Sequence, residues 1–371
     1  MNPVPRLVFL MFLINTTLLQ AQIRIGQNAV LTISDDTQFS CSADIINYGC
    51  IFNTGTINLW NNWINNGEFN SLAGTTNFIG DQLQHVNHNG YSFSNLGIDG
   101  AGIIIESDLS VSNILNLTHG HVSPLDGIQF RLAENAQVEN ASEVSHVKGR
   151  LIREGIGDIF YPIGSPQAYR PAWLHITDER SQIAGLEVLE PNLISAAQNG
   201  ITRVVQEAYW RLSANEGNIQ NTRISLSYSN TTTRYPNLLV VVELSNAGNS
   251  YLNLGHESLD EINEVITSRD VISGNTFALA EIDGMITICN VISPNGDAIN
   301  DYLYIANIEE FPDNEVMIFN RAGQQIYHED NYHNTWDGCI NNEPLPAGHY
   351  FCVVKLLNSG QAYSQTITIV R

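Results

Sequence analysis

The chain has 371 residues and carries 16 Lys+Arg against 38 Asp+Glu, a formal charge of −22. Such acidity repels nucleic-acid phosphates and anionic membrane faces, so nucleic acid is excluded as a partner. The length exceeds what one hydrophobic core usually organises, and three domains are expected. Charged residues make up only 15% while Asn, Ser, Thr and Gly abound, the composition of many short strands and turns and hence of an all-β fold.

Residues 1–21 read as an export signal: Arg6, an apolar run from Leu7 to Ile14, and Ala21 as the small residue before cleavage. The run is broken by Asn15, Thr16 and Thr17, too short for the roughly 20 apolar residues of a spanning helix. Its removal takes away Arg6 and no acid, leaving −23, a charge suited to solubility outside the cell or to collecting divalent cations. Passage through an oxidising periplasm permits disulfides. Five cysteines leave at least one unpaired if all bonds are internal; Cys41 with Cys50 is the first candidate bridge, Cys339 with Cys352 the second, and Cys289 is left over. Their spacings fit no common zinc pattern.

Residues 47–70 fall into hexads: NYGCIF, NTGTIN, LWNNWI, NNGEFN. The fifth column reads Ile51, Ile57, Trp63, Phe69; the third reads Gly49, Gly55, Asn61, Gly67; the first carries Asn47, Asn53 and Asn65. One large apolar residue and a polar turn pair per unit is a solenoid signature. Apolar segments continue at Tyr91 to Ile98, Ile103 to Ile105, Leu109 to Leu117, Ile128 to Leu132 and Val147 to Ile152. Residues 22–145 are therefore read as a β-solenoid-like region, with a stack of hairpins as the alternative.

From His146 the strands lengthen: Trp210 to Ser213, Arg223 to Tyr228, Leu238 to Leu244, Tyr251 to Leu254 and Phe277 to Ile282. Arg223 to Tyr228 alternates polar and apolar, as a half-buried strand does, and Leu239 to Val242 is apolar on both faces. A β-sandwich over residues 146–286 is expected. Leu186 to Ala197 leaves room for one helical turn, cut short by Pro191.

The last segment, residues 287–371, reads as a small β-sandwich of immunoglobulin-like type. Its expected strands are Ile288 to Ile292, Tyr302 to Ala306, Val316 to Phe319, Gln325 to Tyr327, Tyr350 to Leu357 and Gln365 to Val370. Between them lie Ser293–Asp301 (SPNGDAIND), Ile318–Tyr327 (IFNRAGQQIY), Trp336-Asp337-Gly338, and Pro344–Phe351 (PLPAGHYF), with a strand and Arg371 at the end. Pro294, Asn295, Gly296 and Asp297 are turn residues, with Asn300 and Asp301 closing the same loop. Phe319, Asn320, Arg321 and Gly323 bring the chain round a hairpin. Trp336 should fill the core, Gly338 turns the chain after it, and Gly348 leads into the strand of Tyr350. In this order the motifs resemble the gliding motility-associated C-terminal domain, the type B sorting domain of proteins exported by the type IX secretion system. The sequence departs from that family at Ala298, where Gly is usual, and at Ala322, where an aromatic is common; Cys339 and Cys352 are additions. The resemblance implies a folded delivery label recognised by the outer-membrane translocation machinery. Residues 22–285 resemble, more loosely, the regions often attached to such domains.

Asn295, Asp297, Asn300 and Asp301 put four oxygen-bearing side chains within seven residues, a grouping able to hold calcium, although Asn and Asp also cap their own turns without metal. Calcium is the one cofactor considered. His85 with His88 and His119 with His121 form H-x-x-H and H-x-H pairs, read as solvated loop histidines because no acidic or cysteine partner stands at ligand spacing. The hexad register sets Tyr48 and Trp60 in one outward column, a candidate glycan contact. No nucleophile elbow, zinc-protease or phosphate-loop motif occurs, Gly155-Ile156-Gly157 alone being too weak. The leading expectation is a non-catalytic, structural or adhesive protein, secreted or on the outer cell surface, with surface glycans or other surface proteins as partners. The rival is a polysaccharide-active enzyme, which needs paired carboxylates or a base flanked by cations; Lys148 and Lys355 are the only lysines.

Overall fold

The computed structural model describes residues 21–371 apart from 199, 215–220, 234–235, 283–285, 298, 341–342 and 358–359. The expected export signal, save Ala21, and the departure at Ala298 lie outside the described residues.

Six residues make one side of a coil, and three sides close it. Ile45 pairs with Trp63 and Ile51 with Phe69, in each case eighteen residues on, so three hexads bring the chain back above itself in parallel register. The hexad repeat thus becomes a three-sided β-solenoid of about eight turns. Its first face stacks Gln22–Ile25, Asp44–Asn47, Trp63–Asn65 and Gln84–Asn87. The second face begins with Val30–Ile33, Cys50–Asn53 and Glu68–Asn70. The third stacks Gln38–Cys41, Thr56–Leu59 and Thr75–Phe78. Two long strands, Ser92–Ile105 and Leu109–Pro124, then run through all three faces, their pairing shifting register where the chain turns a corner.

The fifth hexad column points inward on every face. Ile51, Ile57, Trp63 and Phe69 are all buried, and Trp63 meets Phe69 edge to face at 5.5 Å between centroids, with Phe69 meeting Phe93 at the same spacing. The first column, read as turn-forming, turns inward too. Asn47, Asn53 and Asn65 are buried; Asn47 Nδ2 donates to Asn65 Oδ1 at 2.7 Å and to the Glu68 carbonyl at 3.0 Å, and its Oδ1 accepts the Gly49 N–H at 2.9 Å. An amide offers two donors and an acceptor, enough to serve backbone groups at a corner and the coil above. At the same corner the coils approach so closely that a Cβ on Gly67 would sit 2.2 Å from the Gly49 carbonyl oxygen.

The parallel ladder does not stop at residue 145. Val147 pairs in parallel with Ile163, and Phe130–Leu132 with Leu151–Gly155, so the expected boundary at 145/146 falls inside the solenoid and the coils continue to Gly164. Leu151–Gly155 then pairs antiparallel, on its other edge, with Gln182–Leu189. One sheet therefore passes from solenoid to sandwich, continuing through Tyr209–Ala214, Thr276–Ile282, Leu239–Leu244 and Tyr251–Asn253. Facing it is a five-stranded sheet of Gly157–Tyr161, Ala172–Ile176, Thr222–Ser227, Val265–Thr267 and Ser258–Asp260. A single apolar cluster runs from Ile25 to Leu279 across both regions. Where a helical turn was expected, Leu186 lies in a strand, because Leu186 and Val188 pair with Leu212 and Trp210 across the sheet. Buried Arg170 ties the sandwich loops together, pairing with Glu190 at 3.0 Å and donating to the carbonyls of Ser229 and Asn230.

Residues 286–369 pack round a second core that includes Ile292, Leu303, Val316, Tyr332, Trp336, Cys352 and Ile367. Its main sheet orders Val291–Ile292, Gln361–Ile369, Gly348–Leu356, Asn314–Phe319 and Gln325–Asp330. The strand expected at Ile288 to Ile292 is split, since Thr287–Ile288 pairs with Ile305–Ala306 in a separate small sheet.

Trp63 fills the solenoid interior and donates through Nε1 to His88 Nδ1 at 3.0 Å. Trp63→Ala is expected to lower stability by about 3–5 kcal/mol, read as a fall in the urea midpoint, whereas Trp60→Ala, three residues away and half-exposed, should shift it by well under 1 kcal/mol.

Candidate functional site

The described residues from Ser293 to Asp301 form a set of turns held by their own side chains. Asp301 Oδ1 accepts the N–H groups of Asn295 and Gly296, each at 2.9 Å; Asp297 Oδ1 accepts that of Ile299 at 2.8 Å; and Asn295 Oδ1 accepts that of Asp297 at 3.0 Å. Asn295 Nδ2 donates to Asp297 Oδ2 at 2.9 Å. Gly296 and Asn300 take positive φ, 80° and 54°, and the Asn300 carbonyl accepts the Ser293 N–H at 2.7 Å. Of the four residues singled out for calcium, Asn295, Asp297 and Asp301 turn side-chain oxygens onto the loop's own backbone donors, and Asn300 contributes its backbone carbonyl. Pro294 starts the turn with its fixed φ.

The other motifs meet around Trp336. This ring is buried and donates through Nε1 to the Cys339 carbonyl at 3.1 Å. Its backbone N–H reaches Tyr332 Oη at 3.2 Å, and that hydroxyl donates to the Leu303 carbonyl at 2.6 Å; burial pushes the Tyr332 phenol far above its ordinary range. Gly338 follows at φ 75°, and the Arg371 guanidinium donates to the carbonyls of Gly338 and Leu345 at 3.1 and 2.9 Å. The last residue therefore clasps the turn behind Trp336. Tyr350 Oη donates to the Pro346 carbonyl at 2.9 Å, and Gly348 opens the strand carrying Tyr350. In the hairpin after Phe319, Asn320 Oδ1 accepts the N–H groups of Ala322 and Gln324 at 3.0 Å, with Gly323 at φ 78° and Arg321 exposed. Tyr332, the hub of this network, was missed in the sequence, because a tyrosine four residues before Trp336 has no spacing signal of its own.

All five cysteines are free thiols. Cys41 lies inside the third face, its Sγ 3.3 Å from the Ala43 carbonyl, and Cys50 sits on the second face beside Glu68; different sides of the coil keep them apart, so the expected bridge is not formed. Cys352 is buried in the C-terminal core, its thiol pushed up to about 12 by burial, while Cys339 stands on a short strand beside Asp337 and Arg371.

Tyr48 and Trp60, expected as one glycan-contact column, are 38% and 39% exposed but stand at different corners. Tyr48 joins the first face to the second, and Trp60 joins the third to the first; twelve residues are two sides of a triangle, whereas stacking needs three. The Arg24 guanidinium lies over the Tyr48 ring at 5.3 Å.

The histidines also differ from expectation. His88 is buried, stacked on Phe93 at 3.8 Å between centroids, and desolvation lowers its pKa to about 3. His85 and His119 find acids on neighbouring coils, Glu106 and Asp99, each at 2.7 Å. These partners lie about twenty residues away, one coil along, where a search at ligand spacing does not look. His121 packs against His146 at 4.3 Å between centroids, and burial first, then the neighbouring charges of His146 and Lys148, lower its pKa to about 4.

The outward-facing positions of the third face carry uncharged hydrogen-bonding groups, Thr56 beside Thr75 and buried Asn58 beside partly exposed Asn77. Asn77 Nδ2 donates to Asn58 Oδ1 at 2.9 Å and Asn113 Nδ2 to Asn95 Oδ1 at 2.7 Å.

Residues 286–369 match the CHU_C Type IX secretion signal domain. The chain therefore carries a type IX sorting domain at its C-terminus, and that domain implies handling by the type IX secretion machinery and export out of the cell. No curated protein and no solved structure matches the chain.

Proposed function

We propose that the solenoid and sandwich form a non-catalytic structural or adhesive unit, displayed outside the cell by the sorting domain. The observation that carries this reading is the third face, where partly exposed Thr56 and Thr75 stand one rung of about 4.8 Å apart on a parallel sheet, with partly exposed Asn77 bonded to buried Asn58 beside them. Rows of amides and hydroxyls of this kind make many weak hydrogen bonds to a polymer surface, each modest and together avid. A polysaccharide is the partner this chemistry suits best, since its hydroxyls both donate and accept. Trp60, partly exposed at the edge joining the third face to the first, adds an apolar surface for a sugar ring. Polysaccharide degradation is the competing reading.

Two experiments separate these claims. Deletion of residues 287–371 should trap the remainder in the periplasm of its own host; release into the medium at the full-length level would contradict routing by this domain. The purified full-length chain should be retained on an insoluble polysaccharide without releasing reducing ends, and Thr56→Asp with Thr75→Asp, both partly exposed and paired across one rung, should cut retention severalfold by setting like charges one rung apart. Release of soluble sugar would replace the adhesive reading with the enzymatic one.

A further inference from the structure

We propose that Glu315, His328 and Asp330 form a divalent transition-metal site of zinc type on the outer surface of the sorting domain. Glu315 stands directly opposite Asp330 on the neighbouring strand, and His328, two residues before Asp330, projects from the same side of the sheet. Two carboxylates in directly opposed positions repel unless a cation lies between them. His328 Nε2 is 3.1 Å from Glu315 Oε1 and 3.3 Å from Asp330 Oδ1, and the three ligand atoms all lie within 4.8 Å of one another. In a tetrahedral zinc complex with bonds of about 2.0–2.1 Å, neighbouring donor atoms are about 3.3–3.4 Å apart. The two edges at His328, 3.1 and 3.3 Å, lie close to that figure, and the third is no longer than 4.8 Å.

Lys355, paired with Glu315 from the other side, fixes the geometry further. Its Nζ holds Glu315 Oε2 at 3.1 Å, which leaves Oε1, the oxygen that meets His328, as the atom turned toward the site. Outer partners of this kind orient metal-binding carboxylates. The imidazole nitrogen selects zinc, copper or nickel over calcium and magnesium, which favour all-oxygen shells with more ligands. Three protein ligands leave a fourth position for water. An ion here joins both strands of the hairpin closed by Asn320 and Gly323, and so stiffens the sorting domain.

The test is titration of the metal-stripped full-length chain with zinc chloride, followed by calorimetry and by thermal melting. One saturable site and a raised melting temperature are expected; His328→Ala and Glu315→Gln should each weaken that site at least tenfold, while His85→Ala leaves it unchanged. Absence of saturable uptake, or equal affinity in His328→Ala, would reduce the cluster to a surface ion network and overturn the proposal.

Discussion

The strand Leu151–Gly155 is paired on both edges, in parallel with the solenoid and antiparallel with the sandwich, and the main body of the molecule depends on that double pairing. A solenoid ends in unpaired N–H and C=O groups and an exposed core, a template for association with other chains. Here the sandwich takes up the exposed edge of the second face, and the apolar interior passes from coil to sandwich without a gap. What would be the weakest end of the solenoid is thereby sealed by the same chain.

Buried polar groups hold the coils in register. Asn47 and Asn65 bond to each other and to the corner backbone, and His88 accepts from Trp63 while stacking on Phe93. Because strand side chains alternate, a slip of one residue would turn these groups outward and bring polar ones into the core in their place. The C-terminal domain uses a related device, with Tyr332 joining Leu303 to Trp336 and Arg371 closing over Gly338 and Leu345. Its signature residues therefore maintain a shape, the property an export machinery can recognise.

Much of this was legible from the residues. The column Ile51, Ile57, Trp63 and Phe69 named four buried positions, and its period of six divides the eighteen-residue coil into three sides. The sorting motifs were legible because each is a turn or a core anchor with its own local chemistry, as at Gly296, Gly323 and Trp336. Less legible was everything that depends on stacking. The acids of His85 and His119 lie one coil away, Tyr48 and Trp60 share a column but not a corner, and buried His88 sits in a segment whose composition reads as loop. The end of the solenoid was placed too early because Val147 still lies in the coils and Leu151 belongs to coil and sandwich sheet at once.

Native-state hydrogen exchange at Leu151–Gly155 and its two neighbours tests the shared strand most directly. If solenoid and sandwich are one cooperative body, the slowest amides of Phe130–Leu132, Leu151–Gly155 and Gln182–Leu189 will exchange with a common opening free energy. Two distinct values, one for Phe130–Leu132 and another for Gln182–Leu189, would show separate units that merely touch, and would contradict the account.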